Sequence, residues 1–134
     1  MAKIATDVKQ SQQLAEILPI ESADMWYITT KPYKMQVDVG GFGYLVEGGS
    51  EHTHLSLTPL DRQGIVAIAT YEETPAWSLG ALTNLLPYPH IHKNYNGKWV
   101  CECESADCTY LWEDNTLVDA CVKMIVKLSE CNLL

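Results

Sequence analysis

The chain has 134 residues, 47% of them hydrophobic, which is the size of one domain and enough to bury a core without disulfide staples. Nine Lys and Arg against 17 Asp and Glu leave a net charge of -8, which repels phosphate and argues against direct nucleic-acid binding or attachment to an anionic membrane. MAKIATDVKQSQ lacks the apolar stretch of a secretory signal, and no run approaches the roughly 18 apolar residues of a membrane span, so a cytoplasmic protein is expected, its five cysteines reduced.

In TDVKQSQQLAEILP, Thr6 or Asp7 can cap a short amphipathic helix that carries Val8, Leu14, Ile17 and Leu18 on roughly one face and stops at Pro19. MWYIT follows as a strand, bulky and β-branched, and its composition suits a central position. YKMQVDV and FGYLVEG, separated by Gly40-Gly41, read as a hairpin with a mobile tip. Its glycines are not a phosphate loop, because no Gly-Lys-Ser/Thr follows and no helix begins there. Phe42, Tyr44 and Leu45 among those glycines make the hairpin a candidate binding loop that orders on a partner.

In HTHLSL, alternation puts Thr53, Leu55 and Leu57 on one face and His52, His54 and Ser56 on the other. IVAIAT at 65–70 reads as a buried strand. In TPAWSLGALTNLLP, Thr74-Pro75 or Ser78 can start a helix, with Leu79, Leu82, Leu85 and Leu86 at spacings of three and four, and Pro87 ends it. Asn96-Gly97 signals a two-residue type I′ hairpin, and CTYLW after a turn near Glu104 extends it to a meander. The last helix starts at Asp114 or Asn115 and runs to about Glu130. Its apolar face is wide: Leu117, Cys121, Met124, Ile125 and Leu128, broadened by Val118, Val122 and Val126. On its polar stripe the Asp119 to Lys123 spacing allows an ion pair. Covering so much apolar surface takes a sheet, and a homodimer would cover it further. The expected architecture is a single α+β domain, a mainly antiparallel sheet of hairpins and meander with two or three helices packed on one face.

One constellation carries chemistry. A two-residue turn at Asn96-Gly97 sets His92 opposite Cys101 and His90 opposite Cys103, and opposed residues share a face. His90, His92, Cys101 and Cys103 would then form a Cys2His2 set of the kind zinc takes, with Cys108 as a substitute. The spacings are H-x-H and C-x-C rather than those of zinc-finger frameworks, and flat strands hold alternate Cβ atoms about 7 Å apart. The plainer reading therefore carries more weight: two small core thiols beside Trp99, two edge histidines and no cofactor. Thiol or metal hydrolase chemistry needs a Cys and a His brought together, and a buried thiol such as Cys121, in the apolar final helix, has a raised pKa and little nucleophilicity. The acidic residues are scattered rather than blocked, which disfavours a DNA mimic.

QSQQLAEILPIESADMWY, PAWSLGALTNLLP and LVDACVKMIVKLSE, together roughly a third of the chain, resemble small uncharacterised proteins encoded by phages and mobile elements of intestinal anaerobic bacteria. The matching patterns are those of helix packing and capping, so the resemblance implies a fold and a mobile-element origin and transfers no activity. Such a setting implies a non-catalytic binder of a host protein or of a small nucleotide-like signal, acting in the host cytoplasm.

Overall fold

The computed structural model describes residues 3–58, 71–105 and 108–134, so the IVAIAT run at 65–70 lies outside the described residues. Among the described residues three α-helices and eight strands make an α+β arrangement in which every strand pairing is antiparallel. Helix α1 spans Val8–Ala15 and is closed by a reciprocal cap: the Asp7 carboxylate accepts from the Gln10 backbone, and the Gln10 side chain accepts from the Asp7 N–H. A short 3₁₀ turn, Ile20–Ser22, follows Pro19.

Strand β1 (Met25–Thr30) is the central strand of a three-stranded sheet, between β4 (His52–Ser56) and β5 (Tyr71–Ala76). The sequence suggested that Thr74-Pro75 could open a helix, but both belong to β5, which lies at the sheet's edge among the described residues and so has room for a proline that cannot donate. Strands β2 (Tyr33–Val39) and β3 (Phe42–Gly48) pair only with each other among the described residues. Gly40 and Gly41, at φ +59° and +85°, make the two-residue turn, because a primed turn needs two left-handed residues in succession.

Helix α2 (Leu79–Leu85) is capped by Ser78, and β6 (His90–Lys93), β7 (Trp99–Glu104) and β8 (Thr109–Asp114) form the meander. Helix α3 (Leu117–Glu130) packs across β7 and β8. Its N-cap is Thr116 rather than Asp114 or Asn115, since the Thr116 hydroxyl accepts from the Asp119 N–H. The main core lies where α3 meets Leu14 and Leu18, Trp77, Leu82 and Leu86, and the β7 thiols. The apolar width of α3 is thus covered within the chain, and it supplies no argument for a second subunit.

A smaller cluster of Ala5, Met25 and Ala76, flanked by Tyr27 and Leu55, backs the β4-β1-β5 sheet. The expected Asp119–Lys123 pair does not form. Lys123 turns back to Asp114 at 2.5 Å, and Asp119 binds Lys3 at 2.7 Å. No helix among the described residues is long and apolar enough to cross a membrane.

Candidate functional site

Alternation along β2 and β3 makes their hairpin amphipathic. The register pairs Val39 with Phe42 and Val37 with Tyr44, so Val37, Val39, Phe42, Tyr44 and Val46 share one face. Lys34, Gln36, Asp38 and Glu47 occupy the other, with Leu45 opposite Gln36. No other element covers the apolar face among the described residues: Phe42 is 80% exposed, Val39 59% and Tyr44 51%. The three residues singled out in the sequence are therefore divided. Phe42 and Tyr44 stand together, and Leu45, equally exposed, points the other way. Rigid aromatic side chains on an exposed ribbon lose little conformational entropy on contact and bury much area, which suits recognition of a protein surface.

The His/Cys constellation is rearranged by its turn. Asn94 N–H donates to Lys98 O at 2.9 Å and Gly97 N–H to Asn94 O at 3.1 Å, closing a three-residue loop of Tyr95, Asn96 and Gly97. The Asn94 side chain accepts from the Asn96 and Lys98 N–H groups, both at 3.0 Å. Gly97 alone adopts positive φ, +76°, whereas a type I′ turn needs Asn96 there as well. Pairing shifts by one residue: His90 faces Glu102, Ile91 faces Cys101 and His92 faces Val100.

A slip of one residue moves every side chain of a strand relative to its partner's faces. Cys101 and Cys103 accordingly lie on the buried side with Ile91, and His90 and His92 on the exposed one, so the four do not converge as a zinc site. Cys108 lies apart from them, exposed at the β7–β8 turn. Among the described residues no three His, Cys, Asp or Glu side chains gather as metal ligands. His52 and His54 belong to a different sheet, where their rings stack with centroids 6.0 Å apart and His52 bonds Thr30.

The cysteines form two groups. Cys101, Cys103 and Cys121 are fully buried where β7 meets α3. Interaction with the neighbouring Cys121 thiol and then burial raise Cys101, and burial pushes Cys103 up to about 12. Cys121 is lowered through its interaction with Cys101, so the rise expected at position 121 falls on its neighbours instead. The Tyr110 phenol is held above its ordinary value by the neighbouring Cys108 and Cys131 thiols. Brief treatment of the native protein with an alkylating reagent should modify Cys108 first and Cys131 next, leaving three thiols that react only in denaturant. Intact-mass spectrometry reads the additions, and five additions to native protein would contradict this burial.

A shallow groove of about 320 Å³ over α3 and β8 has Trp112, Val122 and Val126 as its apolar lining and Lys123, Lys127 and Glu130 among its polar groups. Its positive charge is small, because Lys123 is already paired with Asp114 and Glu130 offsets Lys127. Sequence reasoning did not find the groove, since only packing brings Trp112 beside two turns of α3.

Comparison with known proteins finds no matching family model, no matching curated protein and no matching solved structure.

Proposed function

We propose that this chain is a small non-catalytic binding protein of phage or mobile-element type, which engages a host protein in the cytoplasm through the apolar face of the β2–β3 hairpin. The observation that carries the reading is the exposure of Phe42, Tyr44 and Val39 together on one side of a ribbon whose other side, apart from Leu45, is polar. Contiguous exposed apolar surface rimmed by polar residues is the usual mark of a protein contact site. A protein fits this surface better than a nucleotide does, because a flat ribbon has no enclosing walls and the Trp112 groove is shallow and weakly charged.

The test compares three immobilised proteins against extract of a bacterium that hosts such elements: wild type, Phe42→Ser/Tyr44→Ser, and Leu45→Ser. Quantitative mass spectrometry should find a host protein captured by wild type and Leu45→Ser and lost by at least roughly tenfold with the double variant. Capture that is equal for all three, or that follows Leu45, would overturn the reading.

A further inference from the structure

We propose that a second copy of this chain docks along the outer edge of β2, the two β2 strands running antiparallel about a two-fold axis at Gln36, to give one continuous sheet in the order β3-β2-β2-β3. The inference rests on the hairpin being the contact element of the molecule, but it uses the backbone edge rather than the apolar face.

The edge is open. Among the described residues no strand lies along β2 on the side away from β3, and an isolated two-stranded ribbon is marginally stable in water. Tyr33–Val39 is long for an edge strand and has neither a proline nor a bulge in its register with β3; its guards are the charges Lys34 and Asp38, which a suitable partner strand can match.

Alternation then selects the pairing. Val39 and Phe42 flank the two-residue turn and exchange backbone bonds, so positions 37, 35 and 33 also direct their N–H and C=O groups at β3. The backbone groups of Lys34, Gln36 and Asp38 therefore point outward. A two-fold axis at Gln36 sets these three against their own copies, with Lys34 opposite the partner subunit's Asp38 and Asp38 opposite the partner subunit's Lys34. Opposite charges directly across an antiparallel pair stabilise it, and here they occur twice by symmetry. Within the chain Lys34 has only a long, exposed pair with Glu47 at 3.6 Å, which leaves it able to turn outward.

The other arrangements are poorer. Strand β3 paired with itself about Leu45 would set Glu47 against Gly43 with no charge pair. Joining β2 to a partner's β3 leaves a β2 edge free at one end and a β3 edge at the other, each able to repeat the same contact, and so runs on into a fibre instead of closing. The two-fold at Gln36 is perpendicular to the sheet, so it places the apolar faces of both hairpins on the same side, doubling the surface that carries Phe42 and Tyr44.

The experiment is sedimentation equilibrium of the whole chain over a concentration series reaching roughly 50 μM, with melting curves to confirm that each variant is folded. Wild type is expected to be a dimer. Asp38→Lys, which sets lysine against lysine, should weaken the dimer by roughly tenfold, and Lys34→Asp/Asp38→Lys, which restores opposite charges with the signs exchanged, should recover it. A monomeric wild type, a dimer indifferent to Asp38→Lys, or a weakened dimer that the double exchange fails to rescue would each overturn the proposal. Phe42→Ser/Tyr44→Ser separates the two readings: it should remain dimeric even where it loses the host protein, and a dimer lost through it alone would mean that copies meet face to face instead.

Discussion

Replacing Trp77 with alanine should cost about 3–5 kcal/mol, most of the stability a domain of this size has to spare. Trp77 is the largest of the fully buried side chains, and it sits in the main core with Leu14, Leu82 and the residues of α3. The residue is tied in at three points, one of them through the indole itself. The backbone N–H donates to Thr6 Oγ1 at 3.1 Å, its carbonyl accepts from the Thr6 N–H at 3.0 Å, and the indole Nε1 donates to Ser22 Oγ at 2.9 Å. Alanine would keep the backbone bonds, empty the cavity and remove the donor from Ser22. Phenylalanine would fill most of the space and lose only that bond, so its cost should be nearer 1–2 kcal/mol. Urea unfolding at equilibrium measures both, and a loss below about 1 kcal/mol for alanine would show that the site collapses around the gap or that the indole is not the keystone.

Asp119 should prove the most sensitive polar position, with Asp119→Ala destabilising by about 2–3 kcal/mol, as the loss of charge-assisted bonds predicts. One carboxylate oxygen accepts from Lys3 Nζ and Gln10 Nε2, both at 2.7 Å, and the other from Thr116 Oγ1 at 2.6 Å. It thus joins the chain's opening segment and α1 to the first turn of α3. Burial alone would raise the Asp119 pKa, but the bonds from Lys3, Thr116 and Gln10 outweigh it and hold the group below its ordinary 3.8. A carboxyl depressed on folding contributes stability that is complete above its unfolded value and is lost as pH falls through the folded one. Melting temperature should therefore drop on acidification below about pH 4, and Asp119→Asn should both lower the plateau and shrink the drop. The drop will not vanish, because Asp7 and Asp114 are lowered too and lose their contribution in the same range. Lys3 works at the other end: burial lowers it, its bonds to Asp119 and Asp7 raise it above 10.5, and its contribution fades only as pH climbs through that raised value. An Asp119→Asn protein with wild-type melting across this acid range would refute the network.

What could be read from the residues in advance was mostly local. Asp7 three residues before Gln10, Ser78 before a leucine repeat, and two glycines between alternating runs each specify their element through contacts with near neighbours. Asn96-Gly97 misled because the side chain of Asn94 captures the turn's N–H groups, and that choice of loop shifts the whole register of β6 against β7. The candidate metal set dissolved with it, since its geometry depended on the parity of that turn. The Asp119 cluster was hidden for a different reason: its partners Lys3 and Gln10 are more than a hundred positions away in the sequence, while Lys123, which sits at helical spacing, takes another partner. Strand β5, with two glutamates and a proline, has little strand character of its own and owes its conformation to pairing with β1.

The way the opening segment is tied in bears on how the chain can be made. Residues near the start, Leu14 and Leu18, lie in the same core as α3, and Lys3 is held by Asp119. During synthesis the first helix leaves the ribosome with neither Trp77 nor α3 yet available to cover it. Closure must wait until α3 emerges, so the stripe that carries Leu14 and Leu18 stays incompletely covered while the intervening strands and α2 are being made.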